Sequence, residues 1–120
     1  MAKLRATRLL VKSLGKALNC NISCHILAVP SKRYSTIYDF NNNLLRHTTE
    51  LMSGILGGAN GLCNLPYDEL YKKSNAFSQR LSRNQLLILQ RESFQDLNKD
   101  MGQGAYYIES LTADLAEKSL

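Results

Sequence analysis

The sequence predicts a helix-rich α/β fold. Apolar residues recur at helical spacing in several segments, two short runs between them are apolar on both faces, and a proline or a glycine pair marks the changes of period. Strands apolar on both faces suit a parallel sheet covered by helices, and helix–strand–helix–strand–helix is the order of βα repeats.

From Lys3 to Leu18, apolar side chains fall at Leu4, Ala6, Leu9, Leu10, Val11, Leu14, Ala17 and Leu18, with Lys and Arg on the other flank, which predicts an amphipathic helix. Asn19 to Asn21 is polar and suits its end. Ile22 to Val29 reads as a short strand closed by Pro30. A loop, Ser31 to Asn43, carries Lys32, Arg33, Tyr34, Tyr38 and Asp39. The second helix shows Leu44, Leu45, Thr48, Leu51, Met52, Ile55 and Leu56. Any of Asn41, Asn42 and Asn43 can cap it, and Gly57-Gly58 stops it. Ala59 to Leu65 is the second strand. Pro66 to Ser74 is a loop with room for a short helix at Asp68-Glu69, and the third helix runs from about Ala76 to Ser93 on Phe77, Leu81 and the run Leu86 to Leu89. After a polar loop, Gln95 to Gly104, Tyr106 to Ile108 reads as extended. The last helix opens at Ser110 or Thr112 and runs through Leu115, Ala116 and Leu120.

Two strands do not make a self-sufficient sheet, because both edges stay unpaired. The pattern therefore describes a piece of a larger assembly, or a chain that gains strands from a partner or from itself.

Composition narrows the function classes. With 44% hydrophobic residues, seven Gly and two Pro in 120 residues, collagen-like and wholly disordered chains are excluded, and the length fits one domain spanning 1–120. No run approaches the roughly 20 apolar residues of a membrane helix. The formal charge of +5 invites a nucleic-acid reading, but it is local. Seven basic residues precede the first acid, Asp39; from there on eight basic side chains face ten acidic ones. Residues 1–33 hold no Phe, Trp or Tyr to stack on bases, so a small basic module for nucleic acid or another anionic surface is the weaker alternative. Arg8 and Lys12 flank Leu9 to Val11, leaving no secretory apolar core. The acid-free, basic start is compatible with an organellar transit peptide, so the cytoplasm is expected, with the mitochondrial matrix as the minor alternative. Asn21-Ile22-Ser23 fits a glycosylation acceptor but lacks an export signal. Cys20, Cys24 and Cys63, with His25 and His47, offer no second tight ligand pair, so they are read as ordinary thiols and no metal site is assigned.

Long colinear blocks go further. Lys3 to Leu10, Asn42-Asn43-Leu44-Leu45-Arg46 with Glu50, Gly57-Gly58-Ala59-Asn60, Asp68-Glu69, Arg80 to Gln90 with Glu92-Ser93, and Gly104 to Thr112 together resemble the methylmalonyl-CoA mutase family from Lys3 to Leu120. The resemblance implies the last part of a (β/α)8 TIM barrel: the sixth helix, the seventh strand (Ile22 to Val29), the seventh helix, the eighth strand (Gly61 to Leu65), the eighth helix and a tail. It implies an acyl-CoA ester along the barrel axis, adenosylcobalamin in a separate domain, and interconversion of methylmalonyl-CoA and succinyl-CoA.

The departures point away from catalysis by this chain. The family's Arg-Thr-His-x-Gln-Thr-Ser run falls on His25, Ile26, Leu27, Ala28, Val29, Pro30 and Ser31, so its His and Gln become Leu27 and Val29. A further family histidine falls at Cys63, beside Asn64. The Asp-x-His-x-x-Gly cobalamin pattern is missing from the sequence. This is similar to the small, non-catalytic subunit of heterodimeric mutases, so no catalytic residue and no cofactor-binding residue is assigned. The implied partners are the remainder of a mutase barrel or a large catalytic subunit. Ser31, Lys32, Arg33, Cys63 and Asn64 are the candidate substrate-binding residues, lying where barrel ligands sit. Each has a plainer reading: Lys32 and Arg33 as solvated loop charges, and Asn60 and Asn64 as turn residues bonding backbone. Tyr34, Tyr38 and Tyr67 read as loop packing, with the lining of a ligand groove as the alternative, and His25 as structural. Arg80, Arg83 and Arg91 either form buried ion pairs or face water. Asp68 and Glu69 point apart and form no acid/base pair.

Overall fold

A computed structural model describes residues 1–73, 75–97 and 100–119. The described residues form four helices and two short strands: α1 (Ala2–Ala17), β1 (Leu27–Ala28), a 3-10 turn (Lys32–Tyr34), α2 (Asn42–Leu56), β2 (Gly61–Leu62), α3 (Ala76–Arg91) and α4 (Tyr106–Glu117). The strands pair in parallel with Leu27 opposite Gly61 and Ala28 opposite Leu62, joined through α2 as one βαβ unit. The fold is thus α/β and helix-rich, around a two-stranded parallel sheet. The strands are shorter than the apolar runs that predict them. Each run continues beyond the residues that have a ladder partner, and extended chain without a partner is not strand.

Each helix has a local cause. α2 stops at Gly57 as expected, and the chain turns away through Gly58 at φ +76°, a left-handed conformation that glycine adopts freely. Its N-cap is Asn41, whose side chain makes no capping bond; Asn42 Nδ2 instead donates to Asp39, and Asn43 turns inward. α3 is capped by Asn75, whose Oδ1 accepts the Ser78 N–H at 2.9 Å. The expectation that Tyr106 to Ile108 is extended is corrected. These residues form the first turn of α4, entered through Gly104 at φ +80°, where Glu109 Oε1 accepts the Gly104 N–H at 2.8 Å. A carboxylate on free amides at a helix start outweighs the modest strand preference of Tyr and Ile. The predicted end at Leu120 lies outside the described residues.

The inward faces are unlike an ordinary core. α2 buries Asn43, His47, Leu51 and Gly54, and α3 buries Ser78, Ser82 and Leu89, with Gln85 on the same stripe. Among the described residues the buried hydrophobic core is small: Ala2, Ala6, Leu51 and Leu89, with Leu51 alone fully buried. Leu14, Leu18, Ile22, Leu27, Val29, Leu87 and Ile88 are all more than a third exposed. The radius of gyration is 16.4 Å, against roughly 13–14 Å for a compact chain of this length. α4 packs on α1, and Arg5 of α1 pairs with Asp100 of the loop that leads to it.

Candidate functional site

The two loops that leave the C-terminal ends of β1 and β2 lie side by side, and α2 is the element that holds them. Asn43 (fully buried) accepts the Thr36 N–H on Oδ1 at 2.8 Å and donates from Nδ2 to the carbonyls of Thr36 and Tyr67, both at 2.9 Å. One turn along, His47 (1% exposed) contacts Ser35 Oγ at 3.0 Å and the Leu65 carbonyl at 3.1 Å. Lys32 Nζ meets Glu69 Oε1 at 2.9 Å across the loops, and the Ser31 N–H donates to Glu50 Oε2 at 3.0 Å. Phe40 stacks on Tyr67 and lies against Tyr71.

This arrangement brings Ser31, Lys32, Arg33 and Cys63 to one end of the sheet. Ser31 Oγ is taken by the Arg33 N–H, Lys32 by Glu69, and Arg33 and Cys63 are exposed. Asn64 departs from that group. It is buried, and its Nδ2 reaches back to the Ser82 carbonyl at 3.0 Å and Gln85 Oε1 at 2.8 Å on α3. Gln85 Nε2 in turn donates to Leu44 O and Thr48 Oγ1 of α2, so one amide chain ties β2, α3 and α2 together. Asn60 does bond backbone, through Oδ1 to the Ile26 N–H, but just before the neighbouring strand rather than in its own turn. Tyr34 and Tyr38 are exposed, His25 is exposed, and Arg80, Arg83 and Arg91 face water, with Arg80 lying over the Phe77 ring.

The face of the sheet turned away from α2 is open. Ala28 and Leu62 point at Gly54 of α2, so by strand alternation Leu27, Val29, Gly61 and Cys63 point the other way. Leu27 is 64% exposed and Val29 49%. Neither side chain can donate a hydrogen bond or hold a proton. Asp68 and Glu69 diverge, as expected: Asp68 is buried against Asn75, and Glu69 reaches Lys32. Partial desolvation, with Tyr67 and Asp68 nearby, holds the Tyr71 phenol above its ordinary value of 10.0.

Sequence reasoning missed the polar stripe Asn43, His47 and Gln85. The signal was there: Asn43 and His47 stand four apart, in register with buried Leu51, where an ordinary core helix has apolar residues.

Comparison with known proteins gives a consistent result. The family model described as methylmalonyl-CoA mutase matches residues 1–120. The methylmalonyl-CoA mutase small subunit of Porphyromonas gingivalis is 39% identical over 99% of this chain, which covers 20% of that protein. The methylmalonyl-CoA mutase of Rhizobium meliloti is 36% identical over 98% of the chain and 17% of its own length. The large subunit from Porphyromonas gingivalis is 33% identical over 99% of the chain and 17% of its length. The chain therefore spans a fifth or less of these relatives.

Proposed function

The chain belongs to the methylmalonyl-CoA mutase family, and from that premise we propose that it serves as the final segment, residues 1–120, of a (β/α)8 barrel of the small-subunit type. Its role is structural and heterodimerising, and the reaction it accompanies is the interconversion of methylmalonyl-CoA and succinyl-CoA. Its partner is the remainder of a mutase barrel or a large catalytic subunit. It works in the cytoplasm, or in the mitochondrial matrix where the host keeps the enzyme there.

The observation that carries this reading is the open sheet face. Leu27 of β1 and Val29 just after it face solvent, and among the described residues neither outer edge of the sheet has a partner strand, so further strands and a filled interior are what the segment needs. The likeness to a relative named as a small subunit supports the non-catalytic role. So does chemistry: the positions to which the family resemblance assigns a His, a Gln and a further His hold Leu27, Val29 and Cys63.

In this proposal adenosylcobalamin belongs to a separate domain and not to this chain. Both ring nitrogens of His47 are engaged by Ser35 and Leu65, and His25 stands exposed just before β1.

Sedimentation of the 13.5 kDa chain alone and mixed with a mutase large subunit tests the proposal. The chain alone should self-associate through its open face and edges, and the mixture should give a defined heterodimer. A cooperatively folded monomer indifferent to the large subunit would overturn it.

A further inference from the structure

We propose that Ser35 and His47 form a nucleophile–base pair that takes the acyl group from a thioester and passes it to water. This activity goes beyond the structural role, and it does not depend on which partner completes the barrel.

Two hydrogen bonds assemble the pair. The Leu65 carbonyl, 3.1 Å from His47 Nδ1, can only accept, so Nδ1 carries the proton of the neutral ring. Nε2 then holds a lone pair, and the Ser35 hydroxyl donates to it at 3.0 Å. A nucleophile within reach of a base, with the base oriented by a third group, is the arrangement that activates a serine. The Leu65 carbonyl stands where a carboxylate stands in a Ser-His-Asp triad: it sets the tautomer but brings no charge. Both ring bonds survive transfer of the serine proton, because Nδ1–H and Nε2–H then both donate.

The surroundings suit an acyl substrate. His47 is held rigidly on α2 at 1% exposure, whereas Ser35 is half-buried, so a fixed base backs a serine that is partly open to solvent. Tyr34 and Ile37, its neighbours in the loop, are exposed and offer apolar surface for an acyl chain. Arg46 Nη1 donates at 3.1 Å to the carbonyl of Tyr34, the residue before the nucleophile, which brings a guanidinium charge to the side of Ser35 where an oxyanion develops. With no carboxylate behind the ring, the pair is limited to substrates whose leaving group departs readily. A thiolate does so, and an amine does not.

Ser35 Oγ bonds to the thioester carbon as its proton passes to Nε2, and the carbonyl electron pair moves onto oxygen. When that pair returns, the C–S bond breaks, and sulfur leaves with its electrons and takes the proton from Nε2 as a thiol. Water then attacks the Ser35 ester with the same base, releasing a carboxylic acid and restoring the hydroxyl. Nothing is oxidised or reduced.

A fluorophosphonate, which labels activated serines, tests the first step on the full chain in the assembly it forms in solution. Peptide mapping should place the label on Ser35 and not on Ser31 in the same loop, whose Oγ accepts the Arg33 N–H instead. The butyryl thioester of N-acetylcysteamine tests turnover: the chain should release thiol, and Ser35→Ala should not. His47→Gln should slow labelling about a hundredfold, while His25→Gln should leave it unchanged. If His47→Gln fails to fold, the wild-type chain decides, because its preference for Ser35 over Ser31 should vanish on denaturation in urea. Labelling of Ser35 no faster than of Ser31 in the native chain, absence of thiol release, release that survives Ser35→Ala, or wild-type labelling in a folded His47→Gln chain would each overturn the proposal.

Discussion

Arg8 Nη2 lies 2.8 Å from Asn60 Oδ1, the same oxygen that takes the Ile26 N–H at 3.0 Å. The same guanidinium also donates to the carbonyls of Cys24 at 2.8 Å and Gly58 at 2.7 Å. One side chain of α1 thereby fixes the entry to both strands, upstream of the register that pairs Leu27 with Gly61. A lysine has the charge but not the planar fork, and reaches one or two of the three acceptors.

Arg8→Lys should therefore lower stability by about 1–3 kcal/mol, and Asn60→Leu by a similar amount, with less than additive loss in the double variant because the two share one bond. Denaturant midpoints of the three variants check this. Additive losses would mean that the Arg8–Asn60 contact contributes nothing of its own.

Gly54 sets how closely α2 lies on the sheet. A Cβ there would stand 3.0 Å from Leu62 Cδ2 and 3.3 Å from Ala28 Cβ. In a free helix, Gly→Ala gains about 1 kcal/mol, but forcing a methyl into a filled contact costs about 1–3 kcal/mol. The contact decides the sign, so Gly54→Ala should destabilise. Leu62→Val removes the nearer atom, and in that background the same substitution should be close to neutral by thermal unfolding.

How far the sequence reaches can be judged on particular residues. The course of α1 and α2 and the start of α3 were legible, because apolar period and the Gly57-Gly58 pair are local signals, whereas the Asn75 cap of α3 was not read. Strand length was not, since it depends on partners that two apolar runs cannot supply to each other. Tyr106 to Ile108 misled because its residue types favour strands, while the deciding group, Glu109, bonds backwards to Gly104. At the site, the placing of Ser31, Lys32, Arg33 and Cys63 on βα loops and strand ends was readable from order alone. The inward turn of Asn64 toward Gln85, 21 residues on, was not, because a side-chain amide gives no hint in sequence of which of several neighbours it will bond.

Gln85 is the joint of that amide chain. Its Nε2 donates to Leu44 O at 2.7 Å and Thr48 Oγ1 at 2.8 Å, while Oε1 accepts from Asn64. Gln85→Leu keeps the bulk and strands those partners, so a loss of about 1–3 kcal/mol is expected. Gln85→Glu should cost at least as much, since a carboxylate replaces the donor facing the Leu44 carbonyl. Equal stability of the wild-type and Leu chains in chemical unfolding would show that apolar packing alone joins α2 to α3.

Tyr71 links the rim to alkaline pH. Desolvation, then Tyr67 and the Asp68 carboxylate, raise its phenol above the ordinary 10.0. The neutral phenol is thus favoured in the folded chain, and the sign follows: this contribution is fully present below the unfolded value and is lost as pH rises through the higher folded one. Spectrophotometric titration of phenolate should show that Tyr71→Phe removes absorbance from the part of the curve above the ordinary phenol midpoint. Asp68→Asn takes away one of the raising charges and should move the Tyr71 step down. The stability of wild type should also fall more steeply than that of Tyr71→Phe across that range. An absorbance loss confined to pH below the ordinary midpoint would mean that Tyr71 is solvated in the folded protein and that its contact with Phe40 does not shield the hydroxyl.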